Sequence, residues 1–197
     1  MEILFNADDY TGDSVDFEPV FKMLDGELIA IGETLSVVCA GGYVMQLHGY
    51  RGTADIDAFY EATAAINEVI RKVGDKFGIN RPDELWLNNS ISNMNPHPSV
   101  EHCETVYSFA NLEVKAVDLV YLIGMKLTSA RGQDMRDVSE IFKKKKDFLP
   151  LGLLSELSGM KFEIDISILL DAFENAHGME WLEEYYKENE SELQQYF

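Results

Sequence analysis

A short apolar, β-branched run, Leu35-Ser36-Val37-Val38-Cys39-Ala40, ends directly on Gly41-Gly42. A run of this kind bounded by glycines reads as a buried strand. Tyr43-Val44-Met45-Gln46-Leu47-His48 then reads as a helix that Gly49 ends. A strand that turns on two glycines into a helix presents backbone N–H groups that an anion can approach without meeting a Cβ. After the twelve residues 43–54 comes Asp55-Ile56-Asp57-Ala58-Phe59-Tyr60, whose polar–apolar alternation predicts a second strand. Its two carboxylates lie at i and i+2 and so project from one face. Two carboxylates beside a phosphate cradle suit Mg²⁺, a hard cation that takes oxygen ligands and usually keeps substrate phosphates among them. Arg51 and Thr53, just before the pair, are placed to touch a triphosphate or to steady the loop.

The flanking patterns set the fold class. Val15, Phe17, Val20, Phe21, Leu24, Leu28 and Ile31 recur at helical spacing and predict one or two amphipathic helices over 15–34. Residues 61–77 carry a second helical pattern. Leu85-Trp86-Leu87 reads as a third strand, 88–99 as a loop, and 105–109 and 112–117 as two more strands joined at Ala110-Asn111. Asp118 is placed to cap a helix over 119–130. Another helix begins near Asp134, runs into Lys143-Lys144-Lys145-Lys146, and is broken at Phe148-Leu149-Pro150; the remainder to residue 197 is mostly helical. This order predicts an α+β fold: a mixed sheet packed with helices, followed by a helical C-terminal region.

Charge narrows the partners. Sixteen Lys and Arg against 35 Asp and Glu leave a formal charge of −19, a field that repels phosphate backbones and argues against general nucleic-acid binding. The lysine run reads as the solvated end of a helix, where cations face the C-terminal dipole. No apolar stretch approaches the roughly 20 residues that span a bilayer. The acidic start has no basic n-region, so no secretory signal is expected. The two cysteines, Cys39 and Cys103, belong to no metal-ligand spacing, and His97, His102 and Cys103 lack a zinc pattern. These features predict a cytoplasmic chain with no membrane association. His48 reads as a packed helix-end residue, Trp86 and Trp181 as core, and the C-terminal glutamates as a solvated face.

Ala40-Gly41-Gly42 followed by Asp55-Ile56-Asp57-Ala58 resembles the signature of the polymerase-β-type nucleotidyltransferase superfamily. The resemblance implies a nucleoside triphosphate held at Gly41 and Gly42, with Arg51 and Thr53 beside it, and Mg²⁺ or Mn²⁺ held by Asp55 and Asp57. It also implies transfer of a nucleotidyl group to a hydroxyl acceptor by in-line, two-metal displacement. Leu122-Ile123-Gly124-Met125-Lys126-Leu127, then Arg131-Gly132-Gln133-Asp134-Met135-Arg136-Asp137, resembles the downstream motifs of nucleotidyltransferase-like toxins of type IV bacterial toxin–antitoxin, or abortive-infection, systems. Lys126, Arg131, Asp134 and Asp137 match, and Gln133 stands where the family prefers Lys. By that resemblance Lys126 contacts phosphate, Arg131 helps bind nucleotide, and Asp134 serves in catalysis or orients the lysine. The resemblance also implies an antitoxin protein as partner, a nucleotidyltransferase-like domain over 1–147, and a helical extension over 148–197 packed on it.

Read from the residues alone, Lys126 is equally a snorkelling helix lysine, and Arg131, Asp134 and Asp137 are equally a helix-start salt-bridge set. The chain also departs from the superfamily pattern, which has a third carboxylate on a later strand. Asn88 and Asn89 occupy the natural place for it, and an amide adds no charge and cannot act as a base. Glu104 and Glu113 are the substitutes. Two functions follow: a metal-dependent nucleotidyltransferase, or a catalytically weakened relative that binds nucleotide or a protein.

Overall fold

Asp16 opens the first helix by accepting the Glu18 N–H, and α1 (Phe17–Ile31) closes at Gly32, whose φ of 71° is left-handed. Phe17, Val20, Phe21, Leu24 and Leu28 are all buried on its inner face, so 15–34 holds one helix rather than two. The computed structural model describes residues 14–196; the acidic start lies outside the described residues. The chain divides into two compact units. The first runs to Met94 and includes Ser99–Val117; the second comprises Asn95–Pro98 and everything from Asp118 onward.

In the first unit α1 is followed by β1 (Leu35–Cys39), α2 (Gly41–Leu47), β2 (Ile56–Phe59), α3 (Ala64–Phe77), β3 (Leu87–Asn88), β4 (Cys103–Ser108) and β5 (Leu112–Val117). The strands form one five-stranded sheet in the order β3-β2-β1-β5-β4. β1 runs antiparallel to β2 and parallel to β5, β2 parallel to β3, and β4 antiparallel to β5. The sheet is therefore mixed and the fold α+β. β1 lies at its centre, with Leu35, Val37 and Cys39 buried and Ser36 exposed, the alternation that a strand period of two requires. The third strand starts later than the Leu85-Trp86-Leu87 pattern predicts. The Trp86 N–H goes to Asn80 Oδ1 instead of to a neighbouring strand, and the indole Nε1 donates to the Ile70 carbonyl at 2.9 Å inside the core.

The second unit is helical: α4 (Leu119–Ser129), α5 (Gly132–Lys144), α6 (Pro150–Gly159), α7 (Ile166–His177) and α8 (Met179–Leu193). Asp118 caps α4 by accepting the Tyr121 N–H at 2.7 Å, and the Tyr121 hydroxyl donates to the Pro96 carbonyl, which attaches 95–98 to this unit. The division after Val117 groups α4 and α5 with the C-terminal helices. Lys143 and Lys144 form the last turn of α5 and Lys145 its C-cap, all exposed, as a cationic helix end should be. Pro150 does not break α5, which has already ended; it opens α6 as the first helical residue, where its missing N–H is not needed. Trp181 is only half-buried. It joins a stack in which Phe142 and Phe173 lie 4.0 Å apart, Phe173 and Trp181 5.6 Å, and Trp181 and Tyr185 5.3 Å. Among the described residues no helix is long and apolar enough to cross a membrane.

Gly74 tests this packing. In an ordinary helix interior, alanine is better than glycine by about 1 kcal/mol. Here a Cβ at Gly74 would lie 2.1 Å from Asn80 Oδ1 and 2.5 Å from Trp86 Cδ1. Gly74→Ala should therefore destabilise the chain by about 1–3 kcal/mol, read as a lowered urea midpoint; an unchanged or raised midpoint would contradict this packing.

Candidate active site

The two glycines are required for different reasons. The Ala40 N–H donates to the Asp57 carbonyl at 2.8 Å, which ties the end of β1 to β2. Gly41 then begins α2 with φ +58°, and a Cβ there would lie 2.9 Å from Asp57 Oδ2. A Cβ on Gly42 would meet Thr53 Oγ1 at 2.7 Å and Arg51 Nη1 at 3.3 Å. One glycine is packed against the second aspartate and the other against the loop that leads to the first.

Gln46, from α2, holds that loop. Its Oε1 accepts the Thr53 N–H and its Nε2 donates to the Val15 carbonyl, both at 2.8 Å. Thr53 is buried, and its hydroxyl lies 3.0 Å from Asp55 Oδ1. Asp55 precedes β2 by one residue and Asp57 lies within it. Ile56 and Ala58 are buried while both aspartates are half-buried, which is how two carboxylates on one face should alternate with the core. Asp57 Oδ1 accepts the Ser90 hydroxyl at 3.1 Å, and its Oδ2 receives no hydrogen bond from the described residues. Asp55 Oδ2 is paired with Arg81 Nη1 at 3.0 Å, and the same nitrogen is 3.2 Å from Glu84 Oε2. Arg81 is the site residue that sequence reasoning missed. It sits in a local turn closed by the Arg81 N–H on the Glu84 carbonyl, and no periodicity connects that turn to Asp55.

The substitutes for a third acid do not reach this site. Glu104 lies on β4, which β5 and β1 separate from β2, roughly 14 Å at ordinary strand spacing. Glu113 lies beside Ser36, at the far end of β1 from the glycines. The Lys115 ammonium at 3.0 Å and the Ser36 hydroxyl at 3.1 Å engage it there and hold its carboxyl below the usual range. Asn88 takes the position itself, in register with Asp57 on the adjacent parallel strand. Among the described residues, no group of three or more His, Cys, Asp or Glu side chains is placed to hold a metal ion. A divalent cation would find only Asp55 and Asp57 as carboxylate ligands here, Asp55 only by displacing Arg81, and would need its remaining ligands from phosphate and water. His48 caps the C-terminal end of α2 and is exposed rather than packed.

The second predicted set assembles within the second unit. Lys126 does not snorkel: it is 5% exposed, and its Nζ donates to Asp134 Oδ1 at 2.9 Å and to Asp137 Oδ2 at 2.6 Å. Arg131, the N-cap residue of α5, adds a bond from Nε to Asp134 Oδ2 at 2.7 Å, and Gln133 Nε2 donates to Asp137 Oδ1 at 2.8 Å. Burial by itself would push the Asp134 carboxyl up. The bonds from Lys126 and Ser129, the Lys126 charge and the Arg131 bond together outweigh it and hold Asp134 below the usual carboxylate range. Gly41, Gly42, Arg51, Thr53, Asp55 and Asp57 are thus gathered in the first unit, and Lys126, Arg131 and Asp134 in the second.

Comparison with family models, with curated proteins and with solved structures finds no match to this chain.

The ion set generates a pH prediction with a definite sign. A carboxyl whose folded pKa lies below its unfolded value, near 3.9 for aspartate, contributes stability that is present above that value and lost as pH falls through the folded pKa. The part of the stability that Asp134 contributes should therefore be constant from pH 7 to about 5, begin to fall near pH 4, and be gone only once the pH lies below the folded pKa. Asp134→Asn should remove it from the urea-midpoint profile. Lys126→Met, which removes the buried cation that Asp134 and Asp137 share, should cost about 3–5 kcal/mol at pH 7; a loss below about 1 kcal/mol would mean that the carboxylates are not buried against it.

Proposed function

We propose that this chain is a metal-dependent nucleotidyltransferase that binds a nucleoside triphosphate at the Gly41-Gly42 turn and transfers its nucleotidyl group to a hydroxyl acceptor. The observation that supports this reading is the packing of the two glycines against Asp57 and Thr53, with Thr53 bonded in turn to Asp55. Of the two acids, Asp57 lies against the glycine turn and Asp55 is joined to it through Thr53. A turn of backbone donors beside two acids suits phosphate and a cation together.

In this reading the N–H groups at the start of α2 face phosphate oxygens, and Arg51 adds charge beside them. Thr53 keeps Asp55 turned toward the turn. Asp55 and Asp57 would hold Mg²⁺ or Mn²⁺, which would supply neutralisation of phosphate charge and favour the alkoxide form of the acceptor. The acceptor oxygen bonds to the α-phosphorus, pyrophosphate leaves with the electrons of the broken P–O bond, and the hydroxyl proton passes to water. Lys126, Asp134 and Arg131 spend their charges on one another, so their part is to hold α4 on α5 rather than to touch phosphate. The same reading makes the chain the toxin of a cytoplasmic toxin–antitoxin pair with an antitoxin protein as partner. The charge of −19 makes bulk nucleic acid a poor acceptor. A second reading, a weakened relative that binds nucleotide or a protein without turnover, is favoured by one finding: Asn88, not an acid, stands beside Asp57.

Calorimetry with each of the four common ribonucleoside triphosphates and Mg²⁺ tests the site. One of them should bind with a Kd between about 1 μM and 1 mM, roughly −8 to −4 kcal/mol, and Asp55→Asn with Asp57→Asn should abolish the heat. Arg81→Ala should raise Mg²⁺ affinity several-fold, because the guanidinium occupies Asp55 Oδ2 in the cation's absence. No heat with any triphosphate would overturn both readings that involve nucleotide.

A further inference from the structure

The C-terminal glutamates do not all stand on an open solvated face. Within the second unit, α8 and the start of α6 enclose a groove of about 470 Å³, within the size range of ligand sites. Leu149, Leu151, Trp181 and Tyr185 supply its apolar lining. The Leu151 N–H donates to the Tyr185 hydroxyl at 3.1 Å, which fastens the first turn of α6 to α8. Trp181 and Tyr185 stack nearly parallel, 5.3 Å apart, and form one aromatic wall. Leu149 is 50% exposed and Trp181 half-buried, so apolar surface stays open to water in a groove that is already shaped. Glu184, Glu188 and Glu192 line the same groove; all three are exposed, and none forms an ion pair with another described residue. Their spacing of i, i+4 and i+8 carries them about 12 Å along the helix axis. A straight helix turns such a row by about 40° per step. α8 leaves helical geometry at Asn189, between the second and third glutamates, where Asn189 Nδ2 donates to the Tyr185 carbonyl at 2.8 Å.

An apolar floor with three unneutralised carboxylates along it calls for an occupant that is apolar on one side and cationic beside it. A second copy is a poor one, because two chains of charge −19 repel each other. A small free cation would meet the carboxylates and leave the Leu149 and Trp181 surface uncovered. A helical segment with Arg or Lys at every fourth position repeats the same step of about 6 Å as the glutamates and matches them one for one. Arginine in particular also stacks on aromatic faces such as those of Trp181 and Tyr185. We propose that the groove between α6 and α8 is a docking site for a basic, amphipathic helical segment of a partner protein. The segment lays a large apolar side chain against Leu149 and Trp181 and its cations against Glu184, Glu188 and Glu192. This inference is independent of the triphosphate site, which belongs to the first unit.

The test titrates the intact chain with a tryptophan-free helical peptide of about four turns, carrying Arg at successive fourth positions and leucines on the adjoining face. Trp181 emission reports on the groove, while Trp86, sealed in the core, gives a constant background. The peptide should shift that emission with a Kd of about 1–100 μM. Its leucine-to-serine version should bind about tenfold more weakly or worse. Glu184→Gln with Glu188→Gln and Glu192→Gln should weaken binding by about tenfold or more. Glu180→Gln with Glu183→Gln and Glu190→Gln removes as much charge from the same helix outside the groove, and should change the Kd by less than about threefold. Leu149 is the N-cap residue of α6, a position that serine suits, so Leu149→Ser keeps the fold and should still weaken the peptide several-fold. Equal losses in the two triple variants would show that the peptide reads net charge alone and would overturn the inference. Indifference to the loss of the leucines, or no binding by the parent, overturns it as well. Light scattering that finds a dimer in the parent and a monomer in Leu149→Ser would give the groove to a second copy and overturn the partner segment.

Discussion

At Gly41 the backbone comes so close to Asp57 that a methyl group would stand 2.9 Å from a carboxylate oxygen. The approach is set by the Ala40 N–H on the Asp57 carbonyl, which extends the antiparallel pairing of Cys39 with Ala58 by one more bond. Because the strands are held at bonding distance there, the turn into α2 must pass under the Asp57 side chain, and only glycine leaves room. α2 in turn fixes the loop after it: Gln46 reaches from the helix to the Thr53 N–H and the Val15 carbonyl. Glycine turn, loop and both acids are consequences of the same strand-end contact. Breaking it would separate the turn from everything that faces it.

The second unit depends on a different kind of constraint. α4 is apolar through most of its length, yet Lys126 is buried in it between two carboxylates of α5. Such a set costs desolvation that a leucine or methionine would not. What it contributes is register: sliding α5 by one residue turns Asp134 and Asp137 off the face toward Lys126 and leaves three buried charges unmatched. Gly124 acts in the same direction, since a Cβ there would lie 2.6 Å from the Phe162 ring. The helices of this unit are thereby held at chosen positions, not merely on an apolar face.

Much of the first unit was legible because its signals are local. The run 35–40 and its glycines gave β1 and α2 to within a residue or two, and the alternation at 55–60 gave β2; in the second unit, Asp118 marks the start of α4 through its bond to the Tyr121 N–H. The pairing of glycines with aspartates was also legible, since a period of two places both acids on one face wherever the strand lies. Less local features were not. Leu85-Trp86-Leu87 looked like a strand by composition, but the indole belongs to the core beneath α3. Pro150 looked like a terminator because proline stops a helix and starts one equally well.

The sequence by itself determined the elements and the chemistry each could carry: a glycine turn, two acids on one strand face, and a lysine alone in an apolar helix. Those follow from backbone sterics and side-chain period, which act within a few residues. Only the tertiary structure decided which elements are neighbours. It put β5 and β4 on the far side of β1 and so removed Glu113 and Glu104 from the aspartates. It brought β3 alongside β2 and so set Asn88 against Asp57, and it turned Arg81 onto Asp55. Strand order and loop closure are settled by the burial of the whole core, a sum over residues distant in sequence that no local pattern contains.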